Sequence, residues 1–417
     1  MSKSRWMRRM GGIAAATVVG VLASGQLARA EVSTDVSGSV LVFPKVVWEG
    51  FPSVAYTRDT IIQISNTSNN MVHAHCFYVD GRSINGIPAW QVTDFAIWLT
   101  RQQPTHWVAS QGRAVNPTDG YGNDGSGLDP GAIPPVPEGF EGELKCVQVD
   151  ASGTPFGGNN LKGEAVIRDS DGDVSKHNAI AILANPDLAG GDPANELRLD
   201  NSVFNDGEYN SCPQTTLLNH FVDGSNDPVV SEFNEIWCDD DHCPIRTYLT
   251  LVPCTQDFEN QDFASVTVQF AIVNELEQVF SASTTVDCWK TIRLADIDAP
   301  TGRCSDEGGM SCVSDEQCID AGAGFCDKTS VFSLGNLGTS TAFTRITPVA
   351  LDGGILTVAE EVHYNNLEIA PTIQDTRSAW AAWNPQTTGN RYDATDPNRG
   401  GPAGGPVVDT ITLPNAF

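Results

Sequence analysis

Hydrophobic and polar positions alternate with a period of two through most of this 417-residue chain. In residues 60–81, Ile62 and Ile64 alternate with Gln63 and Ser65. After a polar NTSNN segment at 66–70, Val72, Ala74, Cys76 and Tyr78 alternate with His73, His75 and Phe77. Successive side chains of a strand point to opposite faces, so the pattern predicts two half-buried strands. Asn and Ser in NTSNN bond their own backbone and favour a turn, so the expected unit is a β-hairpin. Residues 266–289 read the same way. Val266, Val268, Phe270 and Ile272 share one face, and Phe280, Ala282, Val286 and Cys288 share a face of the return strand. Both stretches end in Cys followed by an aromatic, Cys76-Phe77 and Cys288-Trp289. Each is preceded by an apolar strand running into proline, LVFPK at 41–45 and LTLVPC at 249–254. The pattern predicts two copies of one design, with Cys76 and Cys288 facing the core at equivalent places.

Further strands are expected at 39–48, 94–100 and 106–110, then a hairpin of 144–150 with 163–168, and a strand at 174–183. Residues 116–138 are too rich in Gly and Pro to hold a regular strand. LRL at 197–199 and TTLLNHF at 215–221 are expected to complete a first domain, with a boundary near Cys243. A second domain then carries strands at 248–252, 331–334, 341–347, 355–361 and 407–413, with a Gly/Pro/Asn loop at 384–405. Many short alternating strands and no long amphipathic helix define the fold class as all-β. The expected architecture is two antiparallel, Ig-like β-sandwich domains, 31–243 and 245–417, with a small disulfide-rich insert at 303–327 in the second.

The first thirty residues add a location. A basic MSKSRWMRRM, an apolar GGIAAATVVGVLASG and Ala28-Arg29-Ala30 form a secretory signal peptide with an A-x-A cleavage site. The apolar run is shorter than the about 20 residues a membrane span needs. Cleavage would remove Lys3, Arg5, Arg8, Arg9 and Arg29 and no acid, so the mature chain is more acidic than the full chain's formal −28. Such a surface repels nucleic acid and anionic lipid, and its carboxylates suit a hard cation such as calcium. The expected location is secreted, periplasmic or cell-surface. The expected partner is a protein or glycan at the cell exterior, with no membrane span.

All eleven cysteines follow the signal peptide, and behind an export signal they read as disulfides. The count is odd, which leaves a free thiol or a bond between chains. Cys146 and Cys254 are the expected partners of Cys76 and Cys288, because each lies in or at the end of another strand of its own domain. Cys238-Asp-Asp-Asp-His242-Cys243 gathers metal-ligand types, but soft thiolates and hard carboxylates rarely share an ion. It reads as an acidic loop closed or anchored by disulfide. Cys304, Cys312, Cys318 and Cys326 are spaced x7, x5, x7 in a polar segment too small to own a hydrophobic core. Zinc sites bring close C-x2–4-C pairs, which this spacing lacks. The spacing resembles the short dickkopf-like units inserted in many secreted proteins, which implies a two-disulfide knob and no activity.

Three groups are candidate metal ligands. Asp169, Asp171 and Asp173 have the one-three-five carboxylates of a calcium loop, although Val174 stands where glycine belongs and Ile180 where the closing Glu belongs. Asp119, Asn123, Asp124 and Asp129 lie in a single unit resembling glycine-aspartate calcium repeats. His73 and His75 share a strand face and could chelate a transition metal, or simply face water. Calcium is thus the one cofactor the sequence suggests. Trp90, Trp107, Trp380 and Trp383 are candidates for a stacking platform or for plugs at sandwich ends.

The chain carries no G-x-S-x-G elbow, H-E-x-x-H, C-x-x-C-H, phosphate loop or dinucleotide fingerprint, and no catalytic residue is assigned. The phrases VLVFPKVVW, TIIQISNTSNNMVHAHCFYVDG, WLTRQQPTHW and YLTLVPCTQDF resemble a group of secreted bacterial β-sandwich proteins without an assigned activity. The resemblance covers most of both domains and implies fold and export, not function. The functional expectation is a non-enzymatic structural or binding protein. The alternative is a secreted hydrolase that uses buried carboxylates on a polysaccharide or another polymer.

Overall fold

A computed structural model describes residues 32–50, 57–84, 87–115, 128–170, 172–185, 195–199, 208–226, 244–299, 301–305, 310–324, 326–349, 353–364, 377–390 and 409–414. The first half contributes β1 (Val32–Ser33), β2 (Val40–Glu49), β3 (Arg58–Asn66), β4 (Val72–Asp80), a minor pair β5 (Ser83–Ile84) and β6 (Ile87–Pro88), β7 (Gln91–Leu99), β8 (Pro104–Val108), β9 (Phe140–Val149), β10 (Leu161–Asp169), β11 (Val174–Asn178) and β12 (Ile180–Ile182). Ten of these form one antiparallel sheet that folds over on itself, with the path β11-β10-β3-β2-β9-β4-β7. The fold-over is at β2, whose register shifts between Phe43 and Val46 and which meets β3 only at Trp48–Asp59 and Glu49–Arg58. Ile62, Ile64, Trp107, Leu161 and Ala165 of one arm pack against Leu41, Phe43, Ala74, Cys76, Ile97 and Leu144 of the other, which makes a sandwich.

The expected hairpin at 60–81 is not formed. β3 pairs with β10 and β8, whereas β4 pairs with β7 and β9, so the two strands lie in opposite layers. The NTSNN segment is a crossing between layers. Asn66 holds it by donating its amide to the carbonyls of Asn70, Leu99 and Thr100. The expected pairing of 144–150 with 163–168 fails for the same reason, since β9 pairs with β2 and β4, and β10 with β3 and β11. The strand expected at 174–183 is broken at Ala179, where the chain passes from β10's side to β2's.

The second half contributes β13 (Glu196–Leu199), β14 (Pro213–Phe221), β15 (Ile245–Pro253), β16 (Gln256–Asp257), β17 (Asp262–Phe263), β18 (Ser265–Asn274), β19 (Val279–Asp287), β20 (Lys290–Arg293), β21 (Gly302–Cys304), β22 (Ser311–Cys312), β23 (Cys326–Asp327), β24 (Thr341–Pro348), β25 (Ile355–Tyr364), β26 (Arg377–Trp383), β27 (Gln386–Asn390) and β28 (Asp409–Thr412). Sheets β19-β18-β24-β14-β27 and β20-β15-β25-β26 enclose a core that includes Leu218, Leu249, Leu251, Val268, Phe270, Ile272 and Ile346. Here the expected hairpin does form, from Ser265–Asp287 to Val273–Val279. The segment expected as a strand at 331–334 is instead a turn leading into a short helix, Leu334–Leu337.

Two placements change the domain division. β14 pairs with β24 and β27, so residues 215–221 belong to the second sandwich. β13 joins β28, β16 and β17 in a small sheet between the sandwiches. The expected boundary at Cys243 lies outside the described residues. The outer face of the first sandwich, with Val42, Phe77, Val79, Val147 and Ile182, packs on Leu197, Tyr209, Val252, Phe258, Trp289, Leu356 and Ile411 as one continuous core. Strands β4 and β9 are therefore buried on both faces, not one. Each fully buried Val, Leu or Phe contributes about 1.5–3 kcal/mol, so prising the halves apart would cost far more than a typical loose domain contact.

Polar links cross the same seam. Lys45 pairs with Glu360 in a fully buried contact, and Trp289 donates its indole N–H to the Pro44 carbonyl at 2.7 Å. Gly81 makes room for that indole, since a Cβ there would lie 2.5 Å from Trp289 Cβ. Asn178 and Asn384 exchange backbone and amide hydrogen bonds, each 2.9 Å. Within the second sandwich, buried Asp223 receives Arg246 Nη1 at 3.0 Å, Arg293 Nη2 at 2.7 Å and Arg293 Nε at 2.8 Å. The insert is the small sheet β22-β21-β23 with the one-turn helix Asp315–Asp320. Its core is Cys304, Cys312, Cys318, Ala323 and Cys326 alone.

Candidate functional site

Those candidate metal residues that the structure describes have other partners. Asp169 Oδ1 accepts the backbone N–H groups of Gly172 and Asp173, both at 2.9 Å, and so closes the turn between β10 and β11. Asp171 lies outside the described residues, as do Asp119, Asn123 and Asp124. Asp129 is buried and binds Arg113 Nη1 at 2.6 Å and the Gly131 N–H at 2.8 Å. A guanidinium at that distance supplies the positive charge a cation would bring.

His73 and His75 share a face of β4, and it is not a solvent face. The His73 ring stacks on Trp98 at 3.9 Å and donates Nδ1–H to the Asp150 carbonyl at 2.8 Å. His75 is buried beside Phe77 and meets Asp94 Oδ2 at 3.1 Å. Burial lowers the pKa of both rings, against the pull of Asp150 and Asp94. Of the tryptophans, Trp107 and Trp90 are buried plugs, the first bonded to the Tyr78 hydroxyl and the second stacked on Phe258. Trp380 packs with Val47 and Ile167 between the halves, and Trp383 lies against the second core. They do not converge on a platform.

The cysteines obey one expectation and break another. Cys76 and Cys146 sit directly opposite on β4 and β9 and are bonded. Cys254 is bonded not to Cys288 but to Cys212, a residue the sequence reading passed over. Cys288 is a free, buried thiol. It follows the end of β19 with φ at +66°, a left-handed turn that swings it out of the sandwich phase and into the seam between the halves. It is buried, as expected, but it joins the core between the halves and not a sandwich core like that of Cys76, so the two cysteines do not occupy equivalent places. Being buried, it is also closed to a bond with another chain. In the insert, Cys304 bonds Cys318 and Cys312 bonds Cys326, so its clustered sulfurs are not thiolates for zinc. Cys238 and Cys243 lie outside the described residues.

Two arrangements remain with chemical content. The first is an open cleft of about 570 Å³ on the second sandwich, whose lining includes Asn219, His220, Phe221, Val273, Glu275, Thr341, Phe343 and Glu361. Glu275 Oε1 accepts the Thr341 N–H at 3.0 Å and its hydroxyl at 2.7 Å. Glu361 Oε1 meets His363 Nε2 at 2.8 Å. His220 donates Nδ1–H to the Phe221 carbonyl and accepts the Thr344 hydroxyl on Nε2, each 2.8 Å.

The second arrangement is in the seam. Glu143 and Lys145 are two residues apart on β9 and so point the same way, into the core between the halves. Gln256 of β16 reaches between them. It accepts from Lys145 Nζ on Oε1 and donates from Nε2 to Glu143 Oε1. Among the described residues Glu143 Oε2 has no hydrogen-bond donor, and it lies 3.7 Å from Lys145 Nζ. Phe258 stands 5.8 Å from the same nitrogen, and Phe77 stacks on Phe258 at 4.4 Å. Burial pushes Glu143 up, Lys145 down and the Cys288 thiol up, the last reinforced by Glu143. None of this triad was singled out from sequence. The available signal was Val147 and Val149 in phase with Lys145, which marks that face of β9 as apolar too.

No protein-family model matches the chain, and no curated protein matches it.

Proposed function

We propose that the mature chain is an extracytoplasmic structural and binding protein, with the open cleft of its second sandwich as the contact surface. The observation that carries the reading is the commitment of the cleft's ionisable groups. Glu275 holds Thr341, Glu361 holds His363, and both nitrogens of His220 are bonded within the fold. Acid–base catalysis needs such a group presented to a substrate proton. The cleft instead offers half-buried Phe221, Val273 and Phe343 with Asn219 and Thr341 at the rim. An apolar strip with a few polar groups suits an extended glycan or protein segment. Four disulfides among the described residues support an oxidising compartment.

The test is to incubate the purified protein with insoluble polysaccharides and cell-envelope fractions, measuring retention and release of reducing ends together. Retention without release, lost in Phe343→Ser, is the expected result. Release that disappears in Glu275→Gln or Glu361→Gln would establish the hydrolase instead. Failure to be retained by any fraction would remove the cleft as a contact surface.

A further inference from the structure

We propose that Lys145 and Gln256 become joined by an intramolecular isopeptide bond, Nζ to Cδ, with Glu143 carrying the protons. The inference rests on the seam alone and does not depend on what the cleft binds. The three side chains touch in sequence, and relative exposure is 1% for Lys145, 0% for Glu143 and 1% for Gln256. An amine hydrogen-bonded to a carboxamide oxygen lies one bond from the carbon it would attack. Holding the two reactants in that contact makes a bimolecular aminolysis effectively unimolecular. Water, the competing nucleophile, is kept out by Phe258 and Phe77.

The protonation states fit. Burial drives Lys145 towards the neutral amine, which has the lone pair, and Glu143 towards the neutral acid, which has the proton. The Nζ lone pair attacks Gln256 Cδ and forms the C–N bond. Nζ gives up a proton to Glu143 Oε2, 3.7 Å away. In the same step the acid proton passes from Glu143 Oε1 to Gln256 Nε2, so the carboxyl never holds two protons; the Cδ–Nε2 bond breaks, and ammonia leaves. Glu143 ends as it began. Amine plus primary amide gives secondary amide plus ammonia, with no oxidation and no further reactant. Cys288 does not compete as nucleophile, because burial keeps it a thiol.

As a permanent ion pair the triad is a poor device. A lone carboxylate oxygen without a donor in an apolar seam is costly, and replacing a buried pair with neutral groups is often stabilising. The amide removes the ionisable amine and leaves Glu143 as the neutral acid. It also ties β9 to β16 next to two disulfides, since Lys145 precedes Cys146, and Gln256 follows Cys254 by two residues.

Mass spectrometry of the purified, reduced chain tests the bond. The expected mass is one ammonia below that of the reduced mature sequence. Trypsin should leave the peptide bond after Lys145 intact and yield one branched peptide containing Lys145 and Gln256. Lys145→Met and Glu143→Gln are expected at full mass. If a variant fails to fold, the wild-type measurement still decides. Full mass with cleavage after Lys145 overturns the proposal, and so does an ammonia loss mapped to any other residue.

Discussion

Two buried carboxylates, Asp223 and Glu143, meet basic groups in opposite ways. Asp223 uses both oxygens on two guanidiniums, with three hydrogen bonds of 2.7–3.0 Å. That fork geometry satisfies the charge, so the cluster is a finished structural joint. Glu143 meets a lysine both through a glutamine and directly, at 3.7 Å on Oε2, an oxygen that has no hydrogen-bond donor among the described residues. A buried group left half-satisfied has either a cost or a use. The contrast separates an ion network that holds a fold from one set up to react.

The largest expected effect breaks the finished joint. Asp223→Ala leaves two buried guanidiniums facing each other and is expected to lower the unfolding free energy by about 3–5 kcal/mol, read by urea titration. Relative to its own sequence it should lack one ammonia, as the wild type does, whereas Glu143→Gln should lack none. If Asp223→Ala costs less than about 1 kcal/mol, the two clusters do not differ in kind.

A smaller effect concerns pH at the Lys45–Glu360 contact, where buried His177 has no hydrogen-bond partner on either nitrogen among the described residues. Burial lowers its pKa to about 4, with Glu360 opposing and Lys45 reinforcing the shift. Between pH 6.5 and 4 the unfolded chain therefore binds the proton more readily than the native one. Stability is fully present above 6.5 and is lost as pH falls through that window, by about 3 kcal/mol at most. Glu141 has the opposite slope. Burial and its hydrogen bond to Glu49 raise it to about 7, so its contribution falls as pH rises from 4.5 to 7. Melting temperatures of His177→Gln and Glu141→Gln between pH 4 and 8 separate the two. An unchanged slope in His177→Gln would mean that water reaches the ring.

The smallest effect is that of calcium. Asp169 is satisfied by its own turn, so chelation is expected to move the melting temperature no more than magnesium exchange does. A calcium-specific shift that Asp171→Asn abolishes would assign an ion to the β10–β11 turn, worth about 0.4–1.4 kcal/mol at one to ten times Kd.

Much of the fold was legible. The phase of Val72, Ala74, Cys76 and Tyr78 correctly marks the inner face of β4, and Cys76–Cys146 follows from it. Period two reports which way a side chain points, not which strand lies alongside. That is why 60–81 looked like a hairpin while its strands lie in different layers. Cys288 was misassigned because a left-handed backbone at a strand end breaks the alternation the reading relied on. Glu143 and Lys145 were passed over because a charged residue in an alternating strand ordinarily marks water, and burial of both faces is set by strands more than a hundred residues away.

The bridging sheet has a consequence for the order of assembly. β28 lies between β13 and β16 and pairs in parallel with the latter. Residues 409–412 are thus the central plank of the layer that covers the first sandwich's outer face. A chain made or threaded from its N-terminus presents Phe77, Val79 and Val147 long before that plank arrives. Such distant pairing is slow to close, and an apolar sheet face waiting for its cover can find another copy first. Chains shortened by even the last ten residues should therefore fail by aggregation during folding, before their native stability is ever expressed.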